Sequence, residues 1–160
     1  MAIEIKTPEQ IEFMRAAGLV VARTLRTLAE AVAPGVTTAE LDALAEHEIR
    51  AAGATPSFKG YHGYPASICT SVNSEIVHGI PSQSRRLREG DIVSIDCGAI
   101  VDGWHGDAAV TVGVGSISAE HAGLLQTCET ALWRGLAQAR AGHRLDGQRH
   151  ARSQPRPARP

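Results

Sequence analysis

No run of roughly 18 or more apolar residues occurs in this chain of 160 residues, and without one no helix spans a bilayer. The N-terminus, MAIEIKTPEQ, lacks the basic, apolar and small-residue zones of a secretory signal. Cysteine is scarce. Cys69, Cys97 and Cys128 show no CxxC spacing, which excludes a disulfide framework and a zinc knuckle, so a reducing, cytoplasmic setting is expected. Acid is missing from residues 147–160, a stretch that holds four of the 16 lysines and arginines and three prolines. The first 146 residues therefore carry 12 basic against 17 acidic side chains, a formal charge of −5. An acidic body offers no nucleic-acid-binding face. The basic tail has no aliphatic residue larger than alanine with which to offset its ordering entropy and is expected to be disordered.

What is present fits one globular domain over residues 1–146: 43% apolar and 21% charged residues overall. Thr7-Pro8-Glu9-Gln10 reads as a helix start, with Thr7 as cap, Pro8 in the first turn and Gln10 closing a capping box. Ile11, Met14, Gly18, Val21, Leu25, Leu28 and Val32 then form one apolar stripe, and Pro34-Gly35 ends it. A second helix opens at Thr37 with Glu40 three residues on, turns Leu41, Leu44, Ala45 and Ile49 inward, and stops at Gly53. Strands are predicted over 67–72, 75–78, 91–100 and 105–112, the last two joined by Asp102-Gly103, a hairpin signal. A third helix runs from a Ser118 cap to about Ala141, with Leu124, Leu125, Cys128, Leu132 and Leu136 on one face. The order of elements implies an α+β fold, an antiparallel sheet with helices on one face.

The hairpin carries the chemistry. If Asp102-Gly103 is a two-residue loop, Gly98 faces Asp107 and Asp96 faces Ala109. Alternation of side chains then puts Asp96 and Asp107 on one face as diagonal neighbours. Ile92, Val93, Ile95, Ile100 and Val110 make the surroundings apolar, so two carboxylates there are costly. Three readings answer that cost. One carboxyl stays protonated, or divalent cations bind between the oxygens, or one aspartate turns away to bond backbone amides. His78, at a strand end before Gly79-Ile80-Pro81, is the imidazole best placed to join them, with His62 and His105 as further candidates. A mixed carboxylate and imidazole set suits manganese, iron, cobalt or zinc better than calcium.

The runs GYHGYPASICTSVNSEIVHGIP (60–81) and LREGDIVSIDCGAIVDGWHGDAA (87–109) closely resemble the bacterial type I methionine aminopeptidases, as does the start IKTPEQIEFMRAAGLVVA. Two long motifs in the right order and spacing are far more specific than one short pattern. The resemblance covers about residues 3–146. It implies the N-terminal half of the pita-bread fold and a dinuclear site of divalent metal (Co, Mn, Fe or Zn). It also implies removal of the initiator methionine from nascent chains, by a protein monomeric at full length, with the ribosome as a candidate partner. By motif, Asp96 and Asp107 correspond to metal ligands, and His78 to a catalytic histidine that contacts substrate near the scissile amide. Tyr61, Tyr64, Cys69 and Phe58 fall on the methionine pocket, Phe58 replacing a smaller residue.

The family continues with a second half that supplies histidine and glutamate ligands, and none of these has a counterpart after Leu145. The abrupt change of composition there reads as a shifted reading frame or a truncated product. On that reading the 160-residue chain is inactive or impaired as a peptidase. The alternatives are a non-catalytic pita-bread module that binds ribosome or RNA through the basic tail, and an Xaa-Pro peptidase relative.

Overall fold

The structure is a computed structural model and describes residues 3–144. The boundary expected near residue 146 and the tail 147–160 lie outside the described residues. Two compact units divide between Ile117 and Ser118. The first holds α1 (Pro8–Ala31), α2 (Thr38–Ala51), β1 (Thr55–Pro56), a single 3-10 turn at Tyr61–Gly63, β2 (Ile68–Val72), β3 (Ile92–Val101) and β4 (Trp104–Gly113). The second holds α3 (Ala119–Leu136). Among the described residues no helix is long and apolar enough to cross a membrane.

The first two helices begin as their sequences dictate. Thr7 and Thr37 accept the amides of Gln10 and Glu40, whose side chains bond back to the cap amides, so each helix opens on a complete capping box. The inward face of α1 differs from the predicted stripe in its first two turns. Ile11 and Met14 are 51% and 41% exposed, and the buried positions are Ala17, Val20, Val21, Thr24, Leu25 and Leu28. The early turns instead reach the sheet through Phe13, whose ring stacks on Trp104 with centroids 6.1 Å apart. On α2 the prediction holds, with Leu41, Ala45 and Ile49 buried and Leu44 packed against the core.

The sheet is built around β3. One edge of β3 pairs with β2 over residues 93–97 and with β1 at Ala99 and Ile100; the other edge pairs with β4 along the whole length of β3, all antiparallel. Period-2 alternation splits β3 cleanly. Val93, Ile95, Cys97 and Ala99 are fully buried in one cluster with Val21, Leu28, Leu41 and Ile49 of the helices. Ser94, Asp96, Gly98 and Ile100 belong to the opposite face, where the chemistry gathers. Burial raises the Cys97 thiol, on the core side, to about 12.

Two expectations are corrected. Residues 75–78 form no strand: Asn73 and His78 have φ of +56° and +60°, outside any ladder, and Ile76 and Val77 are 88% and 66% exposed. Their β-branched side chains serve a loop. The third helix ends at Leu136, short of Ala141, because the chain tightens into i→i−3 bonds from Gln138 to Gly135 and from Ala139 to Leu136. Of its expected inward stripe, Leu125 is half-buried and Leu124, Cys128, Leu132 and Leu136 are exposed, Gly135 being the buried residue of α3.

Candidate active site

Asp102 and Gly103 have φ of +49° and +82°, the double left-handed pair that closes a tight two-residue hairpin with the twist its strands need. The register follows: Gly98 opposes Asp107 and Asp96 opposes Ala109. On its other side Asp96 opposes Cys69 of β2. One face of three strands therefore presents Cys69, Asp96 and Asp107 within adjacent rows. Asp96 is half-buried and Asp107 exposed.

The electrostatics follow from that arrangement. Burial, and then the neighbouring charge of Asp107, raise the Asp96 carboxyl above the usual carboxylate range, with His78 and the Cys97 amide acting against them. Burial also raises the Cys69 thiol, opposed by Tyr64 and reinforced by Asp96, Asp107 and Asp42. Tyr64 is raised by burial too and stays a phenol at any ordinary pH. Its hydroxyl spends itself on the chain, donating toward the Ile68 carbonyl at 3.0 Å and the Gly79 carbonyl at 3.1 Å.

That second bond helps to fix His78. The Gly79 carbonyl also accepts from the Thr70 amide at 2.9 Å, and the Gly79 amide donates to Ser71 Oγ at 3.3 Å. A side chain at 79 would put its Cβ 2.1 Å from the Thr70 carbonyl oxygen, so only glycine lets the loop come this close to β2. The loop after His78 is thus pinned to the sheet, while His78 holds a left-handed backbone that non-glycine residues seldom adopt.

These elements enclose an open cavity of about 540 Å³. Phe58, Tyr61, Tyr64, Cys69, His78, Asp96 and Asp107 all line it. His105 does not; it is exposed, opposite Ile100 near the hairpin tip. The lining also includes His62, a further candidate from the sequence, together with Pro65 and Ile80, to which the sequence assigned no role. His62 belongs to the 3-10 turn, with φ of +47° and its ring set edge-on to Tyr61 at 4.4 Å. The clustered Tyr-His-Gly-Tyr was the available signal. Ile80, between Gly79 and Pro81, was marked only by its rigid turn.

The pattern of metallopeptidase family M24 matches residues 12–151. The chain belongs to this family. Among M24 relatives, the chain is 52% identical to the methionine aminopeptidase of Clostridium acetobutylicum, over 93% of its own length and 60% of the relative's. It is 53% identical to methionine aminopeptidase 1 of Mycobacterium tuberculosis, over 89% and 53% respectively. The crystal structure of methionine aminopeptidase from Thermotoga maritima superposes with a TM-score of 0.91 at 39% identity, covering 94% of this chain and 60% of that one. The chain thus spans 53–60% of the length of the curated relatives it matches. The resemblance read from the motifs and the α+β, partial pita-bread architecture are both borne out.

Membership of a metallopeptidase family implies a divalent metal, and the residues present can be tested against it. Two carboxylates sharing one face, one of them half-buried and raised by the other, are an anionic pair that a cation relieves. Oxygen donors of this kind suit a divalent ion. Among the described residues, however, no three His, Cys, Asp or Glu side chains converge as ligands. The pair fits a cation as part of a coordination shell.

Proposed function

We propose that the chain is a methionine aminopeptidase segment whose pocket receives the N-terminal methionine of nascent proteins beside a divalent-metal site. The observation that carries this reading is the convergence of Asp96, Asp107, His78 and the walls Phe58, Tyr61, Tyr64 and Cys69 on one cavity. Asp96 and Asp107 would hold the metal, two ions of Co, Mn, Fe or Zn, through their carboxylate oxygens. A bound ion supplies Lewis-acid polarisation of the scissile carbonyl. His78, fixed through Gly79 at the pocket edge, offers a ring N–H or lone pair to the substrate near that amide. The aromatic rings and the un-ionised Cys69 thiol give the thioether side chain a largely apolar seat.

Two carboxylates leave most positions around an ion to water, so the 160-residue chain alone is expected to release methionine from Met-Ala-Ser at the background rate with added Mn²⁺. Binding tests the reading directly. Calorimetric titration of the Mn²⁺-loaded chain with methionine amide is expected to give a cation-dependent signal, and Asp96→Asn or Asp107→Asn should remove it. Methionine amide binding equally well with chelator, or not at all with Mn²⁺, would reject the assignment.

A further inference from the structure

Gly98 sits inside β3, where glycine ordinarily weakens a strand, and its φ is not positive, so the backbone does not require it. The requirement is space. A Cβ at 98 would lie 2.7 Å from Phe58 Cε1, 3.1 Å from Phe58 Cζ and 2.9 Å from Ser57 Cβ. Ser57 has no easy retreat, because its amide donates to the Gly98 carbonyl at 3.0 Å. On the far side Lys59 is tied to Glu46 of α2 at 2.6 Å, so the segment bearing Phe58 is tethered at both flanks. Gly98 opposes Asp107 and follows Asp96 by two residues on the same face. The gap left by its missing side chain therefore seats an aromatic ring on the face that carries both carboxylates, and that ring is a wall of the cavity.

We propose that Gly98 determines side-chain specificity: by seating the Phe58 ring against the sheet beside Asp107, it sets the pocket's width and fits it to a slender, unbranched apolar side chain. This rests on the aminopeptidase reading above. Gly98 acts through Phe58, as a positioning residue. A side chain at 98 drives the ring off its seat and into the cavity, whereas a smaller residue at 58 widens the cavity.

The test compares wild type, Gly98→Ala, Phe58→Leu and the double variant, by thermal melting and by Mn²⁺-dependent binding of methionine amide and phenylalanine amide. Gly98→Ala is expected to lower Tm by about 5 °C through overpacking. The double variant should regain most of that loss, since the two sites share one space. Wild type should favour methionine amide by about tenfold or more, and Phe58→Leu and the double variant should lose about tenfold of that preference. A merely structural contact would move the melts and leave the preference alone. Additive melting shifts, or a preference that changes less than about twofold in Phe58→Leu, would overturn the proposal. If Gly98→Ala fails to fold, Phe58→Leu alone decides the preference. A wild type that binds neither amide refutes the aminopeptidase reading and this selectivity together; one that binds methionine amide with an unmoved preference in the variants refutes only the role of Gly98.

Discussion

Asp96 stands between Cys69 and Ala109 in the sheet, with Asp107 one row away, and burial and that neighbour both raise its affinity for a proton. In the metal-free chain its folded pKa therefore lies above its unfolded one. Between the two values the folded state binds more protons, so stability falls as pH rises through the folded pKa and stays lowered above it. Asp96→Asn removes the ionisable group at nearly the same volume. In chelator the variant is expected to melt above wild type at pH 7, the difference closing as pH drops into the ordinary carboxylate range. Melts at pH 7 and pH 4 check this, and a variant that melts lower at pH 7 would contradict it. At this scale the sequence made the carboxylate pair legible, because the hairpin arithmetic needs only local residues. It did not separate His62, which lines the cavity, from His105, which does not, because the left-handed φ that places His62 is decided by the surrounding loop and not by the residue itself.

Helix starts belong to the next scale. Thr37 is 2% exposed, its Oγ accepts from the Glu40 amide at 3.2 Å and bonds Glu40 Oε2 at 2.8 Å, and its own amide donates to that carboxylate at 2.7 Å. Thr7 makes the equivalent box on an exposed surface. Thr37→Ala is expected to cost about 1–2 kcal/mol and Thr7→Ala about half as much, measured by urea denaturation. Equal losses would show that burial adds nothing to the cap. Both boxes and the Asp102-Gly103 turn were readable because their signals lie within four residues. The strand predicted over 75–78 was misread for a complementary reason. Ile76 and Val77 have strand propensity, but Glu75 bonds the Val72 amide at 2.8 Å and Gly79 docks on Thr70, contacts that propensity does not encode. The extent of the α1 stripe likewise depends on where the sheet lies, and the tail at 147–160 falls outside the described residues.

For the molecule as a whole, metal and fold should be linked. The core clamps β3 from one side, through Val93, Ile95, Cys97 and Ala99, and leaves its other face to a pair of like charges. Whatever binds that pair in the folded chain alone stabilises it by mass action. At about a hundredfold excess over Kd the gain is about 2.7 kcal/mol, roughly 5–10 °C in Tm for a chain of this size. Mn²⁺ at pH 7 is therefore expected to raise Tm by that amount, with a smaller rise from Ca²⁺, since an imidazole near the carboxylates favours transition metals. The rise should fade toward pH 4, where protons compete for the same oxygens, and vanish in Asp96→Asn/Asp107→Asn. The ion preference and the double substitution separate a site from surface counterion effects, because the response of scattered exposed carboxylates would be alike for Ca²⁺ and Mn²⁺ and would survive the double substitution. Superimposed melts with and without Mn²⁺ would mean that the two aspartates share a face without sharing an ion, and the aminopeptidase reading would lose the feature on which its chemistry depends.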